Sequence, residues 1–107
     1  MKANFRCWLE NDEGEQIVGP GLYQLLIEVK KTGSLSQAAR EMNMSYRTAW
    51  GKIKKIEKRI GAEVIEKTVG GKDGGGSELT SKGYELMNIY KKLKTKLETA
   101  LNDLDKA

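Results

Sequence analysis

The stretch GSLSQAAREMNMSYRTAWGKIKKIEKRI, residues 33–60, constrains this chain more than any other, because its apolar spacing and capping residues fit two short helices joined by a tight turn. Ser34 is placed to cap the first helix, and Gln37 three residues on completes an S-x-x-Q capping box. Leu35, Ala38, Ala39 and Met42 then share one face, where the two adjacent alanines let another helix cross close by. Asn43 tolerates left-handed backbone and suits the turn. Met44 fills the corner, and Ser45 is a second cap. Beyond it Ala49, Ile53, Ile56 and Ile60 recur at spacings of four, three and four, which is one buried stripe. The other faces carry Tyr46, Arg47, Thr48, Trp50, Lys52, Lys54, Lys55, Lys58 and Arg59. The pattern predicts a helix-turn-helix over residues 34–60.

Charge is distributed in a way that matters for this motif. Residues 1–39 hold 4 basic and 5 acidic side chains, residues 40–59 hold 7 and 2, and residues 60–107 hold 8 and 8, so the net charge of +4 comes from the second helix. A basic helix is usually a solvated face, but charge concentrated on a helix-turn-helix frame favours a surface for phosphates.

Several chemistries are unfavourable from composition alone. The chain has no histidine and one cysteine, Cys7, so clustered zinc ligands, a serine–histidine relay and an internal disulfide are all out of reach. No nucleophile, base and oxyanion donors assemble, and the expectation is a non-enzyme without catalytic residues, metal or cofactor. No segment approaches membrane-spanning length, and MKANFRCWLE lacks the apolar run of a secretion signal, so a cytoplasmic protein is expected, with no membrane partner.

The rest of the chain frames the motif. ANFRCWLE alternates Phe5, Cys7 and Leu9 against Arg6, Trp8 and Glu10, and with NDEGEQIVG it predicts a β-hairpin turning near Asp12 to Gly14. Cys7 is most simply a small buried apolar group on the Phe5–Leu9 face. Pro20 starts a helix, Leu22, Leu25, Leu26 and Val29 follow at helical spacing, and Gly33 ends it, making a three-helix core over residues 20–61. AEVIEKTV, residues 62–69, suits a strand, with Glu78 and Leu79 as its returning partner. GGKDGGGSE between them lacks the G-x-x-x-x-G-K-S/T of a P-loop, so a hairpin tip is expected, with Lys72 in reach of a phosphate or the minor groove. Thr80 then caps a helix from Ser81 to about Asp105. Its stripe of Leu86, Tyr90, Leu93, Leu97, Ala100 and Leu104 is a heptad seam longer than so small a core needs, and its outer half is expected to face a second copy.

TGSLSQAAREMNMSYRTAW, VGGKDGGGSELT and LTSKGYELMNIY together resemble the N-terminal DNA-binding domain of the ModE-type molybdate-responsive regulators, whose frame is LysR-like. The resemblance covers roughly residues 20–105. It implies a mainly α fold with a little β, a winged helix-turn-helix made of an N-terminal β-hairpin (1–19), the helical core, a β wing (62–79) and a long C-terminal dimerisation helix (80–105). It also implies a homodimer formed through the first and last helices. Such a dimer binds a near-palindromic operator in double-stranded DNA and regulates genes of molybdenum uptake or use. Ser45, Tyr46, Arg47, Thr48 and Trp50 match the family's recognition-helix motif, and Gly70, Gly71, Lys72, Gly74, Gly75 and Gly76 match its wing.

The expected DNA contacts are Ser34, Ser36, Ser45, Tyr46, Arg47, Thr48, Trp50, Lys52, Lys54, Lys55, Gly71, Lys72, Gly74 and Gly75. Arg47 is the candidate for base readout. Trp50 fits either packing or a backbone contact. The expected dimer contacts are Leu22, Leu26, Leu86, Tyr90, Leu93, Leu97 and Leu104. Family members sense molybdate in a C-terminal pair of β-barrel domains, and this chain stops where those begin. The expectation is therefore a regulator lacking the molybdate-sensing part. Two other readings stand beside it, a winged-helix module for protein interaction and an oxyanion sensor holding molybdate in its glycine loop.

Overall fold

The computed structural model describes residues 2–69 and 76–105. Eight elements follow one another: β1 (Leu9–Glu10), β2 (Gln16–Val18), α1 (Pro20–Thr32), α2 (Leu35–Glu41), α3 (Tyr46–Ile60), β3 (Ile65–Thr68), β4 (Gly76–Leu79) and α4 (Ser81–Asp105). They build a mainly helical winged helix-turn-helix with two small antiparallel hairpins.

The punctuation read from the sequence is the punctuation that the backbone uses. Pro20 stands in the first turn of α1, and Gly33 closes that helix at φ 69°, donating its N–H to the Val29 carbonyl. Ser34 accepts from the Gln37 N–H at 3.1 Å to open α2, and Ser45 accepts from the Thr48 N–H at 3.1 Å to open α3. Asn43 makes the turn between them at φ 54°. Ala38, Ala39 and Ala49 are sealed against neighbouring helices, and Ile53 and Ile56 continue the buried face of α3.

The first hairpin is shorter than its alternation predicts. Leu9 pairs with Val18 and Glu10 with Gln16, across a register shift, while residues 2–8 lie outside any strand. The returning arm has only three residues before Gly19 caps α1, so nothing is left to pair with Ala3 to Trp8. The alternation still sorts the faces, with Phe5, Cys7 and Leu9 half-buried and Arg6, Trp8 and Glu10 exposed. The turn is tied by Asn11, whose side-chain oxygen accepts from the N–H of Glu13 at 3.1 Å and of Glu15 at 2.9 Å. The second strand pair is also trimmed. Val64, expected in the strand, is buried in the core just before it, and Val69, expected in the strand as well, lies just past its end and is 99% exposed.

Four residues expected at a dimer contact belong to the core of one chain. Leu22, Leu26, Leu86 and Tyr90 are all buried, so their apolar area is already removed from water without a partner. Tyr90 stacks at a tilt on Tyr23, with ring centroids 4.7 Å apart, and its hydroxyl donates to the Cys7 carbonyl at 3.0 Å. Burial pushes the Tyr90 phenol up to about 12, with the contact to Cys7 adding to the rise, so it remains a neutral donor at ordinary pH. Leu93 and Leu97 are half-buried and Leu104 is exposed, on the same stripe beyond the point where the core ends.

The remaining joints fix the wing and α4 to the core. Glu57 of α3 is buried, and its Oε2 accepts from the Val64 N–H at 2.8 Å, with a longer contact to the Ile65 N–H. The Val64 carbonyl accepts from the Thr80 N–H at 3.0 Å, and the Thr80 hydroxyl accepts from the Gly83 N–H at 3.1 Å, capping α4 as its sequence predicts. Gly83 lies so close to the Val64 carbonyl that a Cβ would collide with it, and Gly76 lies equally close to the carbonyl of Gly33.

Candidate nucleic-acid interface

The buried stripe of α3 decides which side chains face outward. With Ala49, Ile53, Ile56 and Glu57 turned inward, Tyr46, Arg47, Thr48, Trp50, Gly51, Lys52, Lys54, Lys55 and Lys58 are all exposed. Tyr46 and Trp50 lie one turn apart at 48% and 46% exposure, so about half of each ring is open to solvent. Such aromatic area at the lip of a cationic helix suits stacking or sugar contact.

The cations differ in how much of their charge is spent. Lys54 forms an ion pair with Glu57 at 3.1 Å and lies 5.5 Å from the centre of the Trp50 ring. It therefore holds the indole and the buried carboxylate together, and its availability to a phosphate is reduced relative to the sequence-based expectation. Arg47, Lys52, Lys55 and Lys58 form no ion pair among the described residues. Lys52 and Lys55 line a groove with Arg6 from the N-terminal segment and with Arg59. Arg59 is a strut, donating from Nη1 to the Gln16 carbonyl at 2.6 Å and pairing with Glu15 at 3.4 Å. The acidic turn at Asp12, Glu13 and Glu15 ends the cationic surface on that side.

A second cleft opens on the other side of α3. Ser34, Leu35, Ser36 and Tyr46 face Lys67, Thr68, Gly76 and Ser77 of the wing strands across it. Ser34 is a cap as well as a rim residue, and the Ser45 hydroxyl, the cap of α3, also donates to Thr48 Oγ1 at 2.9 Å. Ser36 is exposed at the rim. Sequence reasoning had not singled out Arg6, Lys67 or Ser77; only the strand register, which sets Lys67 opposite Ser77 and Glu66 opposite Glu78, puts the wing's cation on the face of Ile65 and Leu79 and its carboxylates on the other. Gly71, Lys72, Gly74 and Gly75, expected at the wing tip, lie outside the described residues.

The profile of the bacterial regulatory helix-turn-helix proteins of the lysR family matches residues 21–84, which is the helical core, the wing and the start of α4. The chain belongs to that family. Among its relatives this LysR-family chain is 33% identical over 87 residues to the transcriptional regulator ModE of Haemophilus influenzae, covering 81% of this chain and 34% of that protein. It is 35% identical over 83 residues to the molybdenum-pterin-binding protein MopB of Rhodobacter capsulatus, covering 78% and 31%. The chain thus spans about a third of the length of these curated relatives. Its fold is also that of Vibrio fischeri DarR, solved in complex with DNA, at a TM-score of 0.60, 20% identity, and coverage of 83% of this chain and 29% of that one. No helix among the described residues of this LysR-family chain is long and apolar enough to cross a membrane.

Proposed function

We propose that this chain binds double-stranded DNA in a sequence-specific way as a ModE-like regulator of transcription, acting by binding and not by catalysis. The observation that carries the reading is the outward face of α3, where Arg47, Lys55 and Lys58 are exposed and form no ion pair among the described residues, beside the exposed rings of Tyr46 and Trp50. In this reading α3 enters the major groove and the wing strands lie alongside. Arg47, one residue into the helix, reaches a base edge, where its guanidinium can bridge two acceptors of a guanine. Lys52, Lys55, Lys67 and the hydroxyls of Ser34, Ser36 and Ser77 contact phosphates, and Tyr46, Thr48 and Trp50 line the groove wall. The names of the relatives point to molybdenum-related genes. The distal stripe of α4 makes the homodimer, so that two copies of α3 meet two half-sites of a near-palindromic operator.

Selection of bound duplexes from a random pool tests the reading, followed by titration of Arg47→Ala and Lys55→Ala on selected and random DNA. Arg47→Ala should reduce the ratio of specific to random affinity by about 1–3 kcal/mol, roughly fivefold to 150-fold. Lys55→Ala should weaken both alike and lower the slope of log affinity against log salt by about one. Failure of the pool to converge on any sequence would sink the reading, and equal behaviour of the two variants would remove the assignment of Arg47.

A further inference from the structure

One residue of α3 has no explanation in the folded chain. Gly51 stands in the interior of a 15-residue helix, exposed, and a Cβ added there would meet nothing within 4 Å. Gly76 and Gly83 are required by backbone carbonyls that press on them, and Gly21, which also has open space, sits in the first turn of α1 where helix propensity counts least. A glycine in a helix interior is among the worst residues for forming that helix, since it confines the most flexible backbone and adds no contact. At Gly51 nothing inside the molecule offsets that loss.

Its surroundings indicate what does. Arg47 precedes it by one turn, Lys54 and Lys55 follow by one turn and Lys58 by two, so Gly51 is at the centre of the outward cationic face, opposite Ala49, Ile53 and Ile56. The position between Arg47 and Lys55 is bare backbone. The acidic turn of the first hairpin lies beside the C-terminal half of α3, so a polyanion is received by the earlier half and the middle.

We infer that Gly51 is the point of closest approach between α3 and DNA, where the absence of a side chain lets the edge of a base pair come against the helix backbone and lets Arg47 and Lys55 reach to either side. The inference rests on the DNA-binding reading above. Gly51 is then a positioning residue: it sets the depth of the helix in the groove and so the geometry of the Arg47 contact.

The test compares the 107-residue chain with Gly51→Ala and Gly51→Leu, measuring thermal midpoint and affinity for a duplex selected by the parent and for random duplex. Open space around the position predicts that both variants fold, and Gly51→Ala should raise the midpoint by about 4–8 °C. Affinity for the selected duplex should fall at least tenfold for alanine and further for leucine, while random-duplex affinity and the salt slope stay as they were, because no charge is removed. Opposite signs of the two effects are the signature. Undiminished binding of the selected duplex by both variants would overturn the inference with the DNA-binding reading intact, and so would a fall in the thermal midpoint, which would mean that folding uses the glycine. Absence of any selected duplex for the parent would remove both.

Discussion

Glu57 sits on the basic helix α3, yet among the described residues it is the charged side chain that is buried, at 8% exposure. It is held there by the Val64 N–H at 2.8 Å and by Lys54 at 3.1 Å, and between them these contacts tie α3 to the residue that leads into β3 and to the Trp50 ring. Replacing it with alanine leaves the Val64 N–H buried without an acceptor, which costs about 1–3 kcal/mol. Glu57→Gln keeps an oxygen for that N–H, so the urea midpoint should fall clearly for alanine and much less for glutamine. A Glu57→Ala variant as stable as the parent would show that the amide finds water instead. This contact was not legible beforehand, because a glutamate among lysines reads as one more solvated charge. Only the turn at Gly61, which brings Val64 back beneath α3, gives it a role. Caps were legible for the opposite reason: Ser34 and Ser45 act on backbone groups three residues away, so their partners are fixed by the sequence itself. Arg47 and Lys55 were legible through the buried stripe, which leaves them no other direction to face.

Helices announce themselves locally, and strands depend on what lies opposite. The described helices begin where Pro20, Ser34, Ser45 and Thr80 place them, and α1 and α3 end at Gly33 and Gly61, whereas residues 3–8 have the alternation of a strand and no neighbour to complete one. The wing depends on a neighbour in the same way. Strand β4 is moored to the turn between α1 and α2 by the Ser77 N–H, which donates to the Gly33 carbonyl at 2.8 Å, and Gly76 has no side chain because that carbonyl occupies the space. Gly76→Ala sets a methyl against rigid backbone and should destabilise the domain by about 1–3 kcal/mol, with faster hydrogen exchange at the Ser77 amide. The result that would discard this account is an unchanged urea midpoint together with an unchanged exchange rate. The contrast with Gly51 is instructive, since the same substitution is expected to weaken one element and strengthen the other.

At the scale of the whole molecule, the question is what α4 does after it leaves the core. Tyr90 is its last buried side chain, and Leu93, Leu97 and Leu104 carry the stripe onward among lysines. A Leu93→Asp, Leu97→Asp double variant should be monomeric with its helical spectrum retained, and its operator affinity should drop to that for random DNA, because half-sites about 34–36 Å apart need two joined copies of α3. Sedimentation showing the double variant still dimeric would end the assignment, as would a monomer that binds a full operator as tightly as the parent. The seam was legible as a heptad pattern, but its division was not: how many turns the core would consume depended on Tyr23 and Cys7, both far away in sequence, meeting Tyr90. The stretch past Tyr90, residues 91–105, is about 22 Å of rigid rod at 1.5 Å per residue, rooted where Gly83 rests on the Val64 carbonyl. A rod of that length is a lever with its fulcrum at the root of the wing. A tilt of about 10° there would sweep the end of the helix at Asp105, about 33 Å from Gly83, through about 6 Å, more than the rise of one base-pair step. In the proposed dimer, a contact no larger than a glycine under a carbonyl would thereby set the gauge of the pair, the spacing at which two copies fall into step with the turns of the double helix.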